Sequence, residues 1–250
     1  MRVYRLLLAY DGLDFHGWQI QTNERSVQGE LEAALAIIFQ REVPVNGAGR
    51  TDTGVHALGQ CASFLVEEGE HAPERVLASL QKLLPEDITA LELHEAHPDF
   101  HARFSATGRH YLYRMSMENC APLRRNRWET HYRLNLDSVK EALALLSGPH
   151  DFRAFCKVVS ADKGTLCDMR YADLELAGDE MHFRFGADRF LHNMVRIIMG
   201  TLVDIGRGHF EVARMTEILE SGERARGGNT GPPHGLYLVR VDYPVELLKP

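Results

Sequence analysis

RVYRLLLAY at residues 2–10, followed after a polar interval by SVQGELEAALAIIFQ at 26–40, decides the fold class. The first run is short, apolar and aromatic, which predicts a strand. The second places Val27, Leu31, Ala34, Leu35 and Ile38 on one helical stripe behind Ser26, a residue type that caps helix N-termini. Outward from this β-then-α opening, strands are expected near 43–47 and 60–66 and at 88–95. A helix at 73–84 carries Val76, Leu77, Leu80 and Leu84. The first half therefore reads βαββαβ. The second half opens with TGRHYLYRMSM at 107–117, a strand, and continues with a helix at 137–147 closed by Gly148. A hairpin joins 170–177 to 181–187 through Gly178-Asp179. Helices at 189–205 and 210–221 and a strand at 236–243 complete it, so the same order recurs with one extra helix.

Two such units in one chain predict an α+β protein of the split-βαβ, ferredoxin- or RRM-like kind, with antiparallel sheets meeting at a central cleft. The expected division is 1–105 and 106–250. The repeat lies in element order and not in residue identity. Residues 118–136 and 222–235 (GERARGGNTGPPHG in the latter) read as long loops of the sort that carry function.

With 250 residues, 44% of them hydrophobic and 25% charged, the chain can bury a sizeable core. No apolar run approaches the eighteen or so residues of a membrane span, and Met1-Arg2-Val3-Tyr4 leads into a strand, so a cytoplasmic protein without a membrane partner is expected. Cys61, Cys120, Cys156 and Cys167 have no C-x-x-C spacing, which suits reduced core thiols better than a disulfide frame or a zinc site. The net charge of −7 speaks against a polyanionic partner, but its distribution does not. Between His97 and Arg133 stand Arg103, Arg109, Arg114, Arg124, Arg125, Arg127 and Arg133 against Asp99, Glu118 and Glu129. One local face could hold a nucleic acid; an ordinary solvated basic face is the alternative.

The chemistry concentrates in GAGRTDTGVHALGQ at 47–60, whose four glycines imply tight turns and close backbone approach. A dinucleotide fingerprint fails because the sixth place after Gly47 and Gly49 is Asp52; a P-loop fails because Gly59 is followed by Gln60-Cys61. What remains is a lone carboxylate, Asp52, two residues after Arg50. Local sequence alone favours a turn-forming Asp bonded to its own backbone.

Six segments shift that balance. YDGLDFHGWQIQ (10–21), SVQGELEAAL (26–35), GRTDTGVHALGQ (49–60), DFHARFSATGRHYLYR (99–114), FLHNMVRIIMGTLVDIGRG (190–208) and HGLYLVRVDYP (234–244) resemble, in order and nearly end to end, the transfer RNA pseudouridine synthase A family. The resemblance implies an isomerase that converts uridine to pseudouridine in the anticodon arm of tRNA, at positions 38, 39 and 40. It further implies a homodimer that uses no cofactor and no metal. It makes Asp52 the catalytic nucleophile. Cleaving the N1–C1′ bond without a cofactor calls for a nucleophile that attacks, leaves again and stays ionised at neutral pH, as a carboxylate does. Attack at ribose C1′, attack at uracil C6 and a glycal route all stay open.

Arg196 sits in a segment apolar on almost every side, and a charge there calls for a partner. The resemblance matches it to the arginine that bridges the catalytic carboxylate, with a structural acid or a backbone carbonyl as the alternative partner. Such a pairing would set the active site between the two units. Tyr111 shares a strand face with Arg109 and Tyr113. Spacing alone makes it a sheet tyrosine, whereas the resemblance makes it the ring that stacks on the target uracil. Arg109 is grouped with it as substrate-binding, and Tyr113 is left as structural. A base within a stem must be extruded to react, and Arg50 is a candidate to support the opened helix, with loop ordering as the alternative. Leu236 is a candidate apolar wall of the uracil pocket or a core residue. Thr53 stands where the family mostly has Ala. Two other function classes stay in view: a metallohydrolase with His94, His97 and His101 as H-x2-H-x3-H ligands, and a non-catalytic RNA-binding module.

Overall fold

The computed structural model describes residues 1–157 and 164–249. The chain divides into two compact units, one of residues 1–108 with Tyr237 onward and the other of residues 109–236.

In the first unit β1 (Arg2–Tyr10) lies between β3 (His56–Val66) and β4 (Ile88–Ala96), antiparallel to both. On the other side of β3, β10 (Leu236–Asp242) runs parallel to it, with Tyr237 opposite His56 and Leu238 opposite Ala57. The strand nearest the C-terminus thus completes the sheet begun by the first strand of the chain. Helix α1 (Val27–Phe39) starts where the Ser26 hydroxyl accepts the Gly29 N–H, as its residue type predicts. Its buried stripe is Val27, Leu31, Ala34, Leu35 and Phe39, so Phe39 takes the place expected for Ile38 and meets Phe64 edge-on. Helix α2 (Pro73–Leu83) buries Val76 and Leu80.

The strand expected at 43–47 shrinks to β2 (Asn46–Gly47), paired with Ser63 and Ala62. Pro44 has no N–H to offer a ladder, and the Val45 N–H is taken by the Glu32 carboxylate at 3.0 Å. Val43 and Val45 are buried nonetheless, so apolar pattern without free donors yields an anchored loop.

In the second unit β5 (Gly108–Ser116) pairs with β9 (Glu180–Ala187), β9 with β8 (Leu166–Ala177), and β8 with β7 (Gly148–Asp151), each antiparallel. The two-residue β6 (Trp128–Glu129) lies parallel to the end of β5. The hairpin turn falls at Gly178 (φ +64), as read from sequence. β7 escaped the sequence reading: α3 (Leu136–Ala144) stops three residues early, and Gly148, at φ +94, swings the chain into a strand that extends β8 back to Leu166. Helix α4 (Met194–Gly206) begins five residues later than expected. Asn193 is left-handed (φ 62), so no continuous helix can run through it, and α4 starts only at Met194. Helix α5 (Arg214–Ser221) packs by Met215 and Ile218.

Cys61, Cys156 and Cys167 are buried free thiols; burial pushes Cys61 up to about 11 and Cys167 up to about 12. Among the described residues no helix is long and apolar enough to cross a membrane.

At the turn end of β5 and β9 a fully buried guanidinium organises the loop expected at 118–136. Arg127 Nη1 donates to Asp179 at 2.7 Å and to Glu180 at 3.3 Å, its Nε donates to Glu129, and its Nη2 donates to the Glu118 carbonyl. Arg114 grips Glu180 with two bonds, of 2.8 and 2.7 Å. The Arg114 guanidinium, helped by His182 and Arg127, holds the Glu180 carboxyl down at about 2. That stabilisation is complete above the ordinary carboxylate range and disappears as pH falls through the folded-state value. Glu180→Gln is therefore expected to unfold about 2–3 kcal/mol more easily in urea at pH 7, with the difference closing between pH 4.5 and 2.

Candidate active site

Asp52 is half-buried in a loop held from below by the Tyr10 and Gln60 side chains and by the Trp18 backbone. The Tyr10 hydroxyl lies 2.8 Å from the Thr51 hydroxyl, and Gln60 Nε2 donates to the Gly49 carbonyl at 2.8 Å. Gln60 is fully buried, and its Nε2 also reaches the Tyr10 oxygen at 3.4 Å. The carbonyls on either side of Arg50 are thus tied: Gly49 to Gln60, and Thr51 to the Trp18 N–H at 3.1 Å. The loop closes on itself where Val55 N–H reaches the Asp52 carbonyl, and the Gly54 N–H reaches the Phe15 carbonyl.

The glycines of both segments mark where backbone meets backbone. A methyl group on Gly12 would overlap the Val55 carbonyl, one on Gly47 would enter the Trp18 indole, and one on Gly17 would lie 2.6 Å from the Thr51 oxygen. Gly17 is in addition left-handed, at φ +90. Segment 12–18 therefore forms the floor of the Asp52 loop. Its own position is set by Arg25, which lies over the Phe15 ring at 4.1 Å and pairs with Asp87 through bonds of 2.6 and 3.0 Å. His56, buried at the loop's exit, stacks on Tyr237 at 4.6 Å. Arg50 and Thr53 are exposed on the loop's outer side.

In the second unit Tyr111 is half-buried on β5, opposite Phe185, with its ring edge-on to Phe190 at 4.9 Å. Arg109, two residues earlier, donates Nη1 to the Asp188 carbonyl at 2.9 Å. Tyr113 is structural: it is fully buried, donates to the Pro232 carbonyl at 2.7 Å, and burial pushes its hydroxyl well above the usual tyrosine value. Within α4 every residue is buried except Arg196 and Asp204, which are partly exposed. Arg196 donates Nε to the Gly231 carbonyl at 2.9 Å and Nη1 to the Asn193 side chain at 2.8 Å. Leu236 is buried at the first position of β10.

The arginine-rich segment divides in two. Arg114 and Arg127 are internal ion-pair partners, whereas Arg103, Arg124, Arg125 and Arg133 are exposed. The three histidines of the metal alternative are each engaged locally. His94 lies beside Glu92, His97 accepts the Asp99 N–H, and His101 accepts the Arg103 N–H. Among the described residues no three His, Cys, Asp or Glu are grouped to hold a metal ion.

Sequence reasoning missed Tyr10, Gln60 and Trp18 as supports of the Asp52 loop, and Asn193 and Gly231 as holders of Arg196. Only the glycine spacing hinted at the first group.

The glycine-clamped carboxylate loop and the mainly antiparallel α+β architecture fit a pseudouridine synthase, the class of isomerase to which the matching family model belongs. A family model described as tRNA pseudouridine synthase matches residues 7–105 and 142–244. The proteins named tRNA pseudouridine synthase A from Acetivibrio thermocellus, an Exiguobacterium species and Leptospira biflexa are 39%, 38% and 41% identical to this chain. The alignments cover 97%, 97% and 96% of this chain and 100%, 98% and 93% of those proteins, respectively. The chain belongs to the tRNA pseudouridine synthase A family. Tyr111 and Arg109 fall between the two stretches matched by the family model, although the full-length relatives span them.

Close packing beneath the loop separates two glycines that share a left-handed backbone. Gly69 (φ +85) has nothing within 4 Å of an added methyl, so Gly69→Ala is expected to lose only about 1–2 kcal/mol and keep full turnover. Gly17→Ala adds a collision with Thr51 to the same backbone cost and is expected to lower turnover about tenfold or more. Urea melts and pseudouridine formation on the two variants check this.

Proposed function

We propose that the chain isomerises uridine to pseudouridine in the anticodon arm of tRNA, at positions 38, 39 and 40, with Asp52 as nucleophile. The observation that carries the reading is a carboxylate on a loop whose flanking carbonyls are tied to Gln60 and Trp18, in a chain of this family. Preorganisation of that kind matters because the carboxylate must meet one carbon of one nucleotide at bonding distance, and an error of 1 Å costs about a hundredfold in rate. In the reaction the C1′–N1 bond breaks, the freed base turns, a C1′–C5 bond forms, C5 loses its proton and N1 gains one.

The other roles follow the same reading. Tyr111 stacks on the uracil, with Arg109 beside it on the strand. Arg196 supplies the positive charge that serves the nucleophile's carboxylate. Arg50, exposed next to Asp52, supports the helix from which the base has been extruded, and Leu236 lines the uracil pocket. Exposed Arg103, Arg124, Arg125 and Arg133 bind the phosphate backbone despite the acidic total charge. The enzyme works in the cytoplasm as a homodimer, without a small-molecule cofactor.

Release of tritium from tRNA labelled at uridine C5 tests the core of this. Asp52→Asn is expected to reduce release by more than about 10³-fold while tRNA affinity stays within a few-fold. Unchanged turnover in that variant would overturn the nucleophile assignment. Pseudouridine mapping in tRNA from cells lacking the protein is expected to show loss at positions 38, 39 and 40 only.

A further inference from the structure

Asn193 stands at the N-cap of α4, a position where its residue type normally accepts a backbone N–H from the first turn. It does not do so. Its backbone is left-handed at φ 62, ψ 9, and its side chain makes no cap bond. Instead Oδ1 accepts Arg196 Nη1 at 2.8 Å, one turn further along. A cap bond contributes about 1 kcal/mol, so an Asn that forgoes it in a strained backbone conformation is serving something other than helix stability.

The second grip comes from the Gly-rich loop after α5. Arg196 Nε donates to the Gly231 carbonyl at 2.9 Å, while the Gly231 N–H returns to the Arg196 carbonyl at 2.8 Å. That loop is itself fastened along α4 and β5. The Gly228 N–H donates to Thr201 Oγ1 at 3.0 Å, and Pro232 accepts the Tyr113 hydroxyl at 2.7 Å. A side chain on Gly228 would strike the Gly200 backbone at 2.7 Å, and one on Gly200 would overlap the Asn229 carbonyl. Gly228 and Gly231 of GERARGGNTGPPHG therefore allow close contact with α4.

We propose that Asn193 and the strap 227–231 are a positioning device for Arg196, holding its guanidinium by Nε and Nη1 in one orientation before tRNA binds. A free Arg side chain carries about 2 kcal/mol of rotamer entropy, and fixing it in advance removes that cost from the chemical step. The inference rests on the reading of Arg196 as the charge that serves Asp52. Asn193 touches no reacting atom in it and acts only through the arginine.

Two substitutions separate positioning from folding. Asn193→Gly keeps the left-handed backbone and removes the acceptor; Asn193→Asp keeps an acceptor but brings a negative charge onto Arg196. Asn193→Gly is expected to lower kcat about 10- to 100-fold, as loss of a supporting hydrogen bond at a site typically does, with tRNA affinity and melting temperature near those of the parent chain. Asn193→Asp, which keeps an oxygen acceptor for Nη1, is expected to recover part of the kcat lost in Asn193→Gly. An Asn193→Gly enzyme with parental kcat, or one whose loss is matched by weaker tRNA binding or a lower melting temperature, overturns the proposal. Turnover surviving in Asp52→Asn would overturn the nucleophile reading, and this one with it. An inactive Asp52→Asn beside a fully active Asn193→Gly overturns this one alone.

Discussion

Backbone touching backbone, where segment 12–18 passes beneath residues 47–55, is the constraint on which the Asp52 loop depends. Two main chains come that close where one of them lacks a side chain: Gly12 and Gly17 meet the Val55 and Thr51 backbone directly, and Gly47 leaves room for the Trp18 indole. The crossing brings the Thr51 carbonyl to the Trp18 N–H and the Phe15 carbonyl to the Gly54 N–H. The loop then has few buried polar groups left to satisfy by moving. Tyr10 and Gln60, projecting from β1 and β3, complete the support from the sheet side. Rigid strands thus carry a loop that would otherwise have the mobility typical of glycine-rich sequence.

The second unit solves a different problem, that of keeping charges in apolar surroundings. Arg127 is fully buried and survives because three carboxylates and a carbonyl surround it. The effect is to bind β6 and the preceding turns to the end of β5 and β9. Arg196 meets the same difficulty on a helix with almost no polar surface. It donates to the Asn193 side-chain oxygen and to the Gly231 backbone carbonyl. In both cases the arginine's rigid fork of donors is what makes the arrangement possible; a lysine's single ammonium could not reach oxygens in such different directions.

Much of the fold was legible because it rests on periodicity. The alternation of β1, the helical stripe of α1 behind Ser26, and the Gly178-Asp179 hairpin each express a local rule; β1 and α1 stand within a residue of their expected limits and the turn falls where expected, although β8 begins four residues early, at Leu166. Departures arise where a distant group intervenes. Glu32 takes the donor that would have extended β2, and β8 recruits β7 from what read as the end of a helix; α4 starts late for a local reason, the left-handed Asn193. The arginine-rich stretch shows the same limit: counting charges could not tell that Arg114 and Arg127 are spent internally.

For the site, the sequence by itself determined the carboxylate candidate, the family through six segments in order, and the glycines that a close crossing requires. Those are properties of residue type and spacing, and they survive without coordinates. Only the tertiary structure decided that Tyr10, Trp18 and Gln60 hold the Asp52 loop, and that Asn193 abandons its helix cap for Arg196. The reason is physical: a hydrogen bond between residues far apart in sequence, such as those of Tyr10 and Trp18 to Thr51, leaves no periodic trace in the chain. A left-handed Asn is spelled like any other.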